Sequence, residues 1–236
     1  MRVVFDHAEN EAKNIKTFWF RPEKTVRYTA GQFTEIHLPH DNPDDRGIKR
    51  WFTLSSSPTD NMVSITTRLD PVRPSSFKKA LFGLKPGAKL NLADPMGDFV
   101  LPKKNDIPIV FVAGGIGVTP MHSMIKWMVD TGEQRQIHLF YAANDPENVA
   151  FRKQFENAPI KFDIILAKPP AGWQGMSGRL TTDVIWNLPG VKVNALVYLS
   201  GPEPMVEQFY KELKGRGIPE HRLVTDYFPG YTESNL

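Results

Sequence analysis

The stretch Ile107-Pro108-Ile109-Val110-Phe111-Val112-Ala113-Gly114-Gly115-Ile116-Gly117-Val118-Thr119-Pro120 decides how this chain folds. It is a continuous apolar run, then three glycines in four residues. Met121-His122-Ser123-Met124-Ile125-Lys126-Trp127-Met128 follows at helical spacing. An apolar run bounded by turn residues is the pattern of a buried strand, and the next segment has the period of an amphipathic helix. Strand, glycine turn and helix is how α/β folds present backbone amides to a phosphate. The first amides of a helix have no partners within it, and the dipole there favours negative charge. Pro120 suits a helix start. The pattern is Gly-Gly-x-Gly-x-Thr-Pro, not the spaced glycines of the common dinucleotide fingerprint. A tight turn that merely needs glycine would read the same way. Three glycines closed by Thr-Pro favour phosphate binding, and the rest of the chain has to decide.

Downstream the same grammar repeats. Apolar strand patterns at 107–112, 136–141, 161–166 and 195–199 alternate with helical patterns at 121–129, 150–157, 181–186 and 204–214. That alternation predicts a parallel sheet flanked by helices. Upstream the pattern is β: short runs at 2–7, 15–21, 32–38, 51–54, 62–67 and 89–93, with helical spacing only at 75–84. Turn signals at Pro22-Glu23-Lys24, Asp41-Asn42-Pro43-Asp44-Asp45 and Lys85-Pro86-Gly87 separate them. Six short strands with one inserted helix predict a small antiparallel β-barrel. The change falls near Pro102-Lys103-Lys104-Asn105-Asp106, so two domains are expected, 1–103 and 104–236.

Composition narrows the chemistry. The chain has no cysteine, which removes disulfides, thiolate nucleophiles, cysteine-type zinc sites and a cysteine-ligated iron–sulfur cluster of its own. Its net charge of +3 is mild, with no concentrated basic stripe for nucleic acid, although it slightly favours an acidic partner. No apolar run reaches the roughly 20 residues of a membrane helix. Met1-Arg2-Val3-Val4-Phe5-Asp6-His7 turns polar too soon for a signal peptide, so a cytoplasmic location is expected. The six histidines show no ligand spacing, and no metal site is expected. Met121, Met124 and Met128 at helical spacing read as core packing.

A second informative stretch is Arg50-Trp51-Phe52-Thr53-Leu54-Ser55-Ser56-Ser57-Pro58. Arginine's planar fork suits a pyrophosphate, an aromatic offers a face to a ring system, and hydroxyls can bond ring nitrogens. Alternation places Arg50, Phe52, Leu54 and Ser56 on one face and Trp51, Thr53 and Ser55 on the other. An ordinary edge strand with a salt bridge would carry similar residues.

Taken together these motifs resemble the ferredoxin–NADP reductase family. Arg50–Ser56 is similar to that family's flavin motif Arg-x-Tyr-Ser/Thr-x-x-Ser, with Phe52 replacing tyrosine. Gly114–Pro120 matches its pyridine-nucleotide motif in full. Ala30-Gly31-Gln32-Phe33, Pro95-Met96-Gly97-Asp98-Phe99 and Ser200-Gly201-Pro202-Glu203-Pro204-Met205 resemble further motifs in the right order, with serine in place of cysteine at 200. Thr225-Asp226-Tyr227-Phe228-Pro229-Gly230-Tyr231 resembles the tail of compact bacterial members.

The resemblance implies a flavoprotein oxidoreductase that binds FAD, with FMN the alternative, and takes hydride from NADH or NADPH. It assigns Arg50 to the flavin pyrophosphate, Trp51 and Phe52 to the flavin surroundings and Thr53 to the neighbourhood of flavin N5. Ser56, Thr66, Thr67 and Arg68 would meet the cofactor, while Ser75 and Ser76 would offer hydroxyls and free amides to a phosphate. Gly114, Gly115, Gly117, Val118, Thr119 and Pro120 would carry the nicotinamide nucleotide. Gly201, Pro202 and Met205 would approach the nicotinamide, Ser200 would position it over the flavin, and Phe228 or Tyr231 would cover the flavin ring. Asn144-Asp145, where NADPH enzymes place an arginine, favours NADH. With no cluster in the chain, the electron acceptor would be separate: a ferredoxin, a flavodoxin, an oxygenase component or a soluble oxidant. A free-flavin reductase and a binding module without turnover are the competing readings.

Overall fold

Period-two burial along the first strands follows from their sequence. In β1 (Arg2–Ala12) Val3 and Phe5 point inward, and in β2 (Ile15–Pro22) Ile15, Thr17, Phe18 and Phe20 are buried. The computed structural model describes residues 1–228; Tyr231, expected over the flavin ring, and the end of the expected 104–236 domain lie outside them. With β3 (Phe33–His37), β4 (Lys49–Thr53), β5 (Val63–Arg68) and β6 (Lys89–Leu92) these strands form an antiparallel sheet ordered β4-β3-β6-β1-β2-β5. A bridge between Leu54 and Ile65 joins the two edge strands and closes the barrel. Helix α1 (Ser76–Phe82) packs Phe77 and Leu81, one turn apart and both fully buried, into the barrel core. The Ser75 hydroxyl caps it by accepting from the Lys78 amide at 3.2 Å.

The second half is a parallel sheet. Strand β7 (Ile109–Gly114) is buried along its whole length, as a central parallel strand must be. The order is β10-β9-β8-β7-β11-β12, with β8 at Ile137–Ala143, β9 at Lys161–Leu166 and β10 at Met176–Ser177. Strand β11 is Leu196–Pro202 and β12 is Leu223–Phe228. From β7 the chain steps outward to β10, then returns to the other side of β7 for β11 and β12. The topological switch therefore lies between β7 and β11, and the crevice at their carboxyl ends is where open α/β sheets bind ligands. After β7 the glycines form a 3-10 turn (Gly115–Val118) that leads into helix α2 (Thr119–Thr131), with Pro120 in its first turn. Short helices α3 (Arg152–Glu156) and α4 (Thr182–Trp186) and the longer α5 (Glu203–Gly215) complete this half.

The structure adds one long element that periodicity did not reveal. Leu223–Phe228 is a strand, pairing in parallel with β11 from Val197↔Leu223 to Pro202↔Phe228. Apart from Leu223 its residues are half-buried or exposed, so no apolar alternation marks it as a strand.

The halves are bonded into one body. The imidazole Nδ1 of His122, on α2, bonds the Ser55 carbonyl at 2.8 Å, and the Ser123 hydroxyl donates to the Ser56 carbonyl at 2.6 Å. Tyr198 on β11 donates to the Val100 carbonyl at 2.7 Å, and Ile15, Ala30 and Phe99 join the core built around β7.

Candidate functional site

A cleft of about 860 Å³ opens where the barrel meets the carboxyl ends of the parallel strands. That is within the usual range for small-molecule and cofactor sites. Arg50, Trp51, Phe52 and Thr53 enter it from β4, and Thr66, Thr67 and Arg68 from β5. Ser75 lines it ahead of α1. From the other half come Ile116 of the glycine turn, Asn144 after β8, and Asp226, Tyr227 and Phe228 of β12. Two segments that lie far apart in sequence thus face one space. Trp51 is half-exposed there and meets Phe33 edge-on at 5.4 Å, while Phe52 packs against Phe77 at 5.7 Å. Both leave aromatic surface for a planar ring.

Arg50 is set deep in the barrel wall, with only 13% of its side chain exposed. Its Nη1 donates to the carbonyls of Arg46, Gly47 and Lys49 at 2.6, 3.0 and 2.7 Å. Its Nη2 donates to Asp44 Oδ1 at 2.7 Å, and the guanidinium lies over the Phe77 ring at 5.3 Å. The buried Nε has no hydrogen-bond partner. A buried, unsatisfied guanidinium N–H at the wall of a cleft is what an anionic ligand would complete. The residues therefore fit a phosphate-bearing flavin.

Ser75 and Ser76 are differently placed from the sequence expectation. The Ser75 hydroxyl is used by its own helix. The Ser76 amide donates to Asp44 Oδ2 at 3.1 Å, and the Ser76 hydroxyl accepts from the Asp44 amide and bonds His40. Burial tends to raise the Asp44 carboxyl, but the Ser76 and Arg46 hydrogen bonds and the Arg50 charge outweigh it and hold the group below its ordinary value. Asp44 is thus a carboxylate at neutral pH.

On the nucleotide side the glycines have a steric reason. A Cβ on Gly117 would stand 2.5 Å from the backbone of Gly201 and Ser200, and one on Gly201 would stand 3.1 Å from Gly114. Only glycines allow the turn after β7 to lie against the end of β11. The Thr119 hydroxyl closes that turn by donating to the Ile116 carbonyl at 3.0 Å. Val118, Thr119, Pro120 and Met205 are buried side chains; they shape the crevice from behind and do not line it. Ser56 is also away from the cleft, bonded to Tyr28 and the Ser64 amide.

Ser200 is fully buried, and its hydroxyl reaches Asp226 Oδ2 at 3.5 Å across the β11–β12 pair. Burial pushes the Asp226 carboxyl up to about 7, with the Ser200 hydrogen bond opposing it. Asp226 lines the cleft, and the sequence reading assigned it no role. The available signal was a lone acid between Thr225 and Tyr227 in the tail motif; only the parallel pairing of β12 with β11 brings it beside Ser200.

Residues 111–211 match the oxidoreductase NAD-binding domain family. The reductase component of propane 2-monooxygenase from Rhodococcus jostii is 26% identical over 97% of this chain and 63% of its own length. A flavohemoprotein of Bacillus subtilis is 31% identical over 66% of this chain and 39% of its own length. By that domain and these relatives the chain is similar to ferredoxin–NADP reductase-like oxidoreductases. It spans under two thirds of the length of both of these relatives. In fold, the chain superposes with a TM-score of 0.79 on a ferredoxin NADP+ reductase from Neisseria gonorrhoeae solved with bound FAD and NADP. That match, at 17% identity, covers 96% of this chain and 98% of the other. The flavohem-like FAD/NAD binding domain of Vibrio cholerae nitric oxide dioxygenase gives 0.83 at 19% identity, covering 96% and 98%. The two-part layout described above, an antiparallel barrel followed by a parallel sheet, matches the ferredoxin–NADP reductase-like fold. Among the described residues no helix is long and apolar enough to cross a membrane.

Proposed function

We propose that this chain is a flavin-dependent NAD(P)H oxidoreductase. In this reading hydride passes from a nicotinamide nucleotide to FAD held against the barrel, and electrons leave to a separate ferredoxin, flavodoxin or oxygenase component. The observation that carries it is the two-sided cleft, with Arg50–Thr53 on one wall and Ile116, Asn144 and Asp226–Phe228 on the other, at the carboxyl ends of the parallel strands. The names of two relatives, a monooxygenase reductase component and an NADH oxidoreductase, point the same way.

When bound, flavin supplies the conversion of a two-electron hydride into single electrons. The protein supplies binding, orientation and exclusion of water. Residues 1–103 form the flavin part and 104–236 the nucleotide part. Arg50 offers its Nε to a phosphate oxygen. Trp51, Phe52 and Phe228 offer ring faces, and Thr53 closes the wall where β4 ends. Thr66, Thr67 and Arg68 line the adjoining strand. Gly114, Gly115 and Gly117 bring backbone to the nucleotide, and Gly201 and Pro202 bound the same crevice. Asp226 holds or gives up a proton near neutrality beside Ser200.

NADH is the preferred donor in this reading. The turn after β8 presents Asn144 and Asp145, and the nearest following arginine, Arg152, is paired with Glu156 at 2.7 Å. Such a turn suits a free ribose hydroxyl better than a phosphate.

Gel filtration of FAD-loaded protein tests the reading. Flavin that co-elutes with the chain and bleaches anaerobically with NADH supports it. Co-eluting flavin that neither nucleotide bleaches leaves a binding module without turnover. The Asp44–Arg50 contact favours one second reading, a free-flavin reductase in which flavin exchanges. Loss of flavin on the column, with flavin reduction retained in solution, would select it.

A further inference from the structure

We propose that Asp44 is a tethered substitute for a flavin phosphate, occupying Arg50 until the phosphate displaces it. The inference rests on the flavin reading above. A guanidinium binds an oxyanion best side-on, through Nε and the adjacent Nη2 as a two-pronged fork. In Arg50 only one prong is used. Nη2 donates to Asp44, while the buried Nε beside it has no partner. A carboxylate that satisfies half of a fork is a poor terminal ligand. A phosphate entering from the cleft can take both prongs and remove the unsatisfied donor.

The guanidinium does not need Asp44 to stay in place. Three backbone carbonyls hold Nη1, and the Phe77 ring lies beneath it. Asp44 is meanwhile well placed to let go. It sits in the turn between β3 and β4, between Asn42 and Gly47, both in left-handed backbone conformation. Its own amide bonds the Ser76 hydroxyl, and its carboxylate also accepts from the Ser76 and Arg46 amides. Released from Arg50, the carboxylate therefore keeps two partners. The exchange trades one charged contact for a fuller one, and it weakens the binding of phosphate-bearing flavins relative to a site without Asp44.

Fluorescence titration of the flavin-free full chain with FAD, FMN and riboflavin tests this, comparing wild type with Asp44→Ala, Asp44→Asn and Asp45→Ala. Asp44→Asn keeps an acceptor for the Arg46 amide, so the turn is retained. The expected result is FAD and FMN binding about 10-fold tighter in both Asp44 variants, with riboflavin and the Asp45→Ala variant within about 2-fold of wild type. Unchanged or weaker FAD binding in the Asp44 variants overturns the proposal while wild-type binding leaves the flavin reading standing. An equal gain for riboflavin, or from Asp45→Ala, overturns it too, because the effect is then not at the phosphate seat. If folded wild-type protein binds no flavin at all, the flavin reading fails and takes this proposal with it.

Discussion

Asp226, half-buried beside the cleft, and the buried His122 have opposite consequences for pH. The folded state raises Asp226 from 3.8 to about 7, because burial disfavours its charge. Its stabilising contribution is complete below the ordinary carboxylate value and is lost as pH rises through about 7. The folded state lowers His122 from 6.5 to about 4, again by burial, against the hydrogen bond to Ser55. Its contribution is present above 6.5 and is lost as pH falls towards 4. Between these limits the two trends oppose each other. Asp226→Asn removes one of them. Urea denaturation across pH 4 to 8 should show the variant gaining on wild type as pH rises, by roughly 2–4 kcal/mol at pH 8, a range discounted because Asp226 opens on the cleft. A pH-independent difference would mean that the carboxyl is not held protonated. The same substitution should remove any inflection near neutrality in the rate of flavin reduction.

At the scale of elements, the function proposed depends on two contacts between chain segments. The turn after β7 rests against the end of β11 at Gly117 and Gly201, where backbone meets backbone. Gly117→Ala places a methyl group in that contact, and the neighbours are main chain that cannot rotate away. We expect a loss of about 1–3 kcal/mol in stability. We also expect a higher KM for NADH, with the flavin spectrum unchanged. An unaltered KM would show that this turn does not shape the nucleotide crevice.

The second contact is α2 against the chain following β4, through His122 and Ser123. Ser123→Ala leaves the buried Ser56 carbonyl with only Tyr28. It should lower stability by about 1 kcal/mol, read as a fall in thermal midpoint. The contact also accounts for Ser56, which the resemblance assigns to the cofactor, lying away from the cleft. Alternation would keep Ser56 on the face of Arg50 and Phe52, but β4 ends at Thr53, and Ser55 and Ser56 turn into the interface between the halves. Element types at 107–120 were legible because glycine punctuation and apolar runs are local signals. The pairing of Asp44 with Arg50 and of Ser200 with Asp226 was not, since each depends on which strands or turns become neighbours in space.

At the scale of the molecule, the mild net charge of +3 is unevenly expressed around the cleft. Lys13, Arg46, Lys49, Arg73 and Lys78 line it together with the acids Asp70 and Asp226, while Lys13 pairs with Glu147 and Lys49 with Glu35. In the function proposed, a rim with that balance would favour approach of an acidic electron acceptor. Electron transfer to an acidic ferredoxin or flavodoxin should therefore slow several-fold between about 50 and 500 mM salt. Reduction by the nicotinamide nucleotide should respond less. Rates to the acidic acceptor that do not change with salt would argue against docking at this rim.

The claim on which all else depends is that one cleft brings nicotinamide and flavin together. Anaerobic stopped-flow mixing of the FAD-loaded chain with NADH or NADPH tests it most directly. The flavin absorbance should bleach in a single enzyme-bound step, faster with NADH than with NADPH. Flavin that stays bound to the folded chain and oxidised with both nucleotides would contradict it.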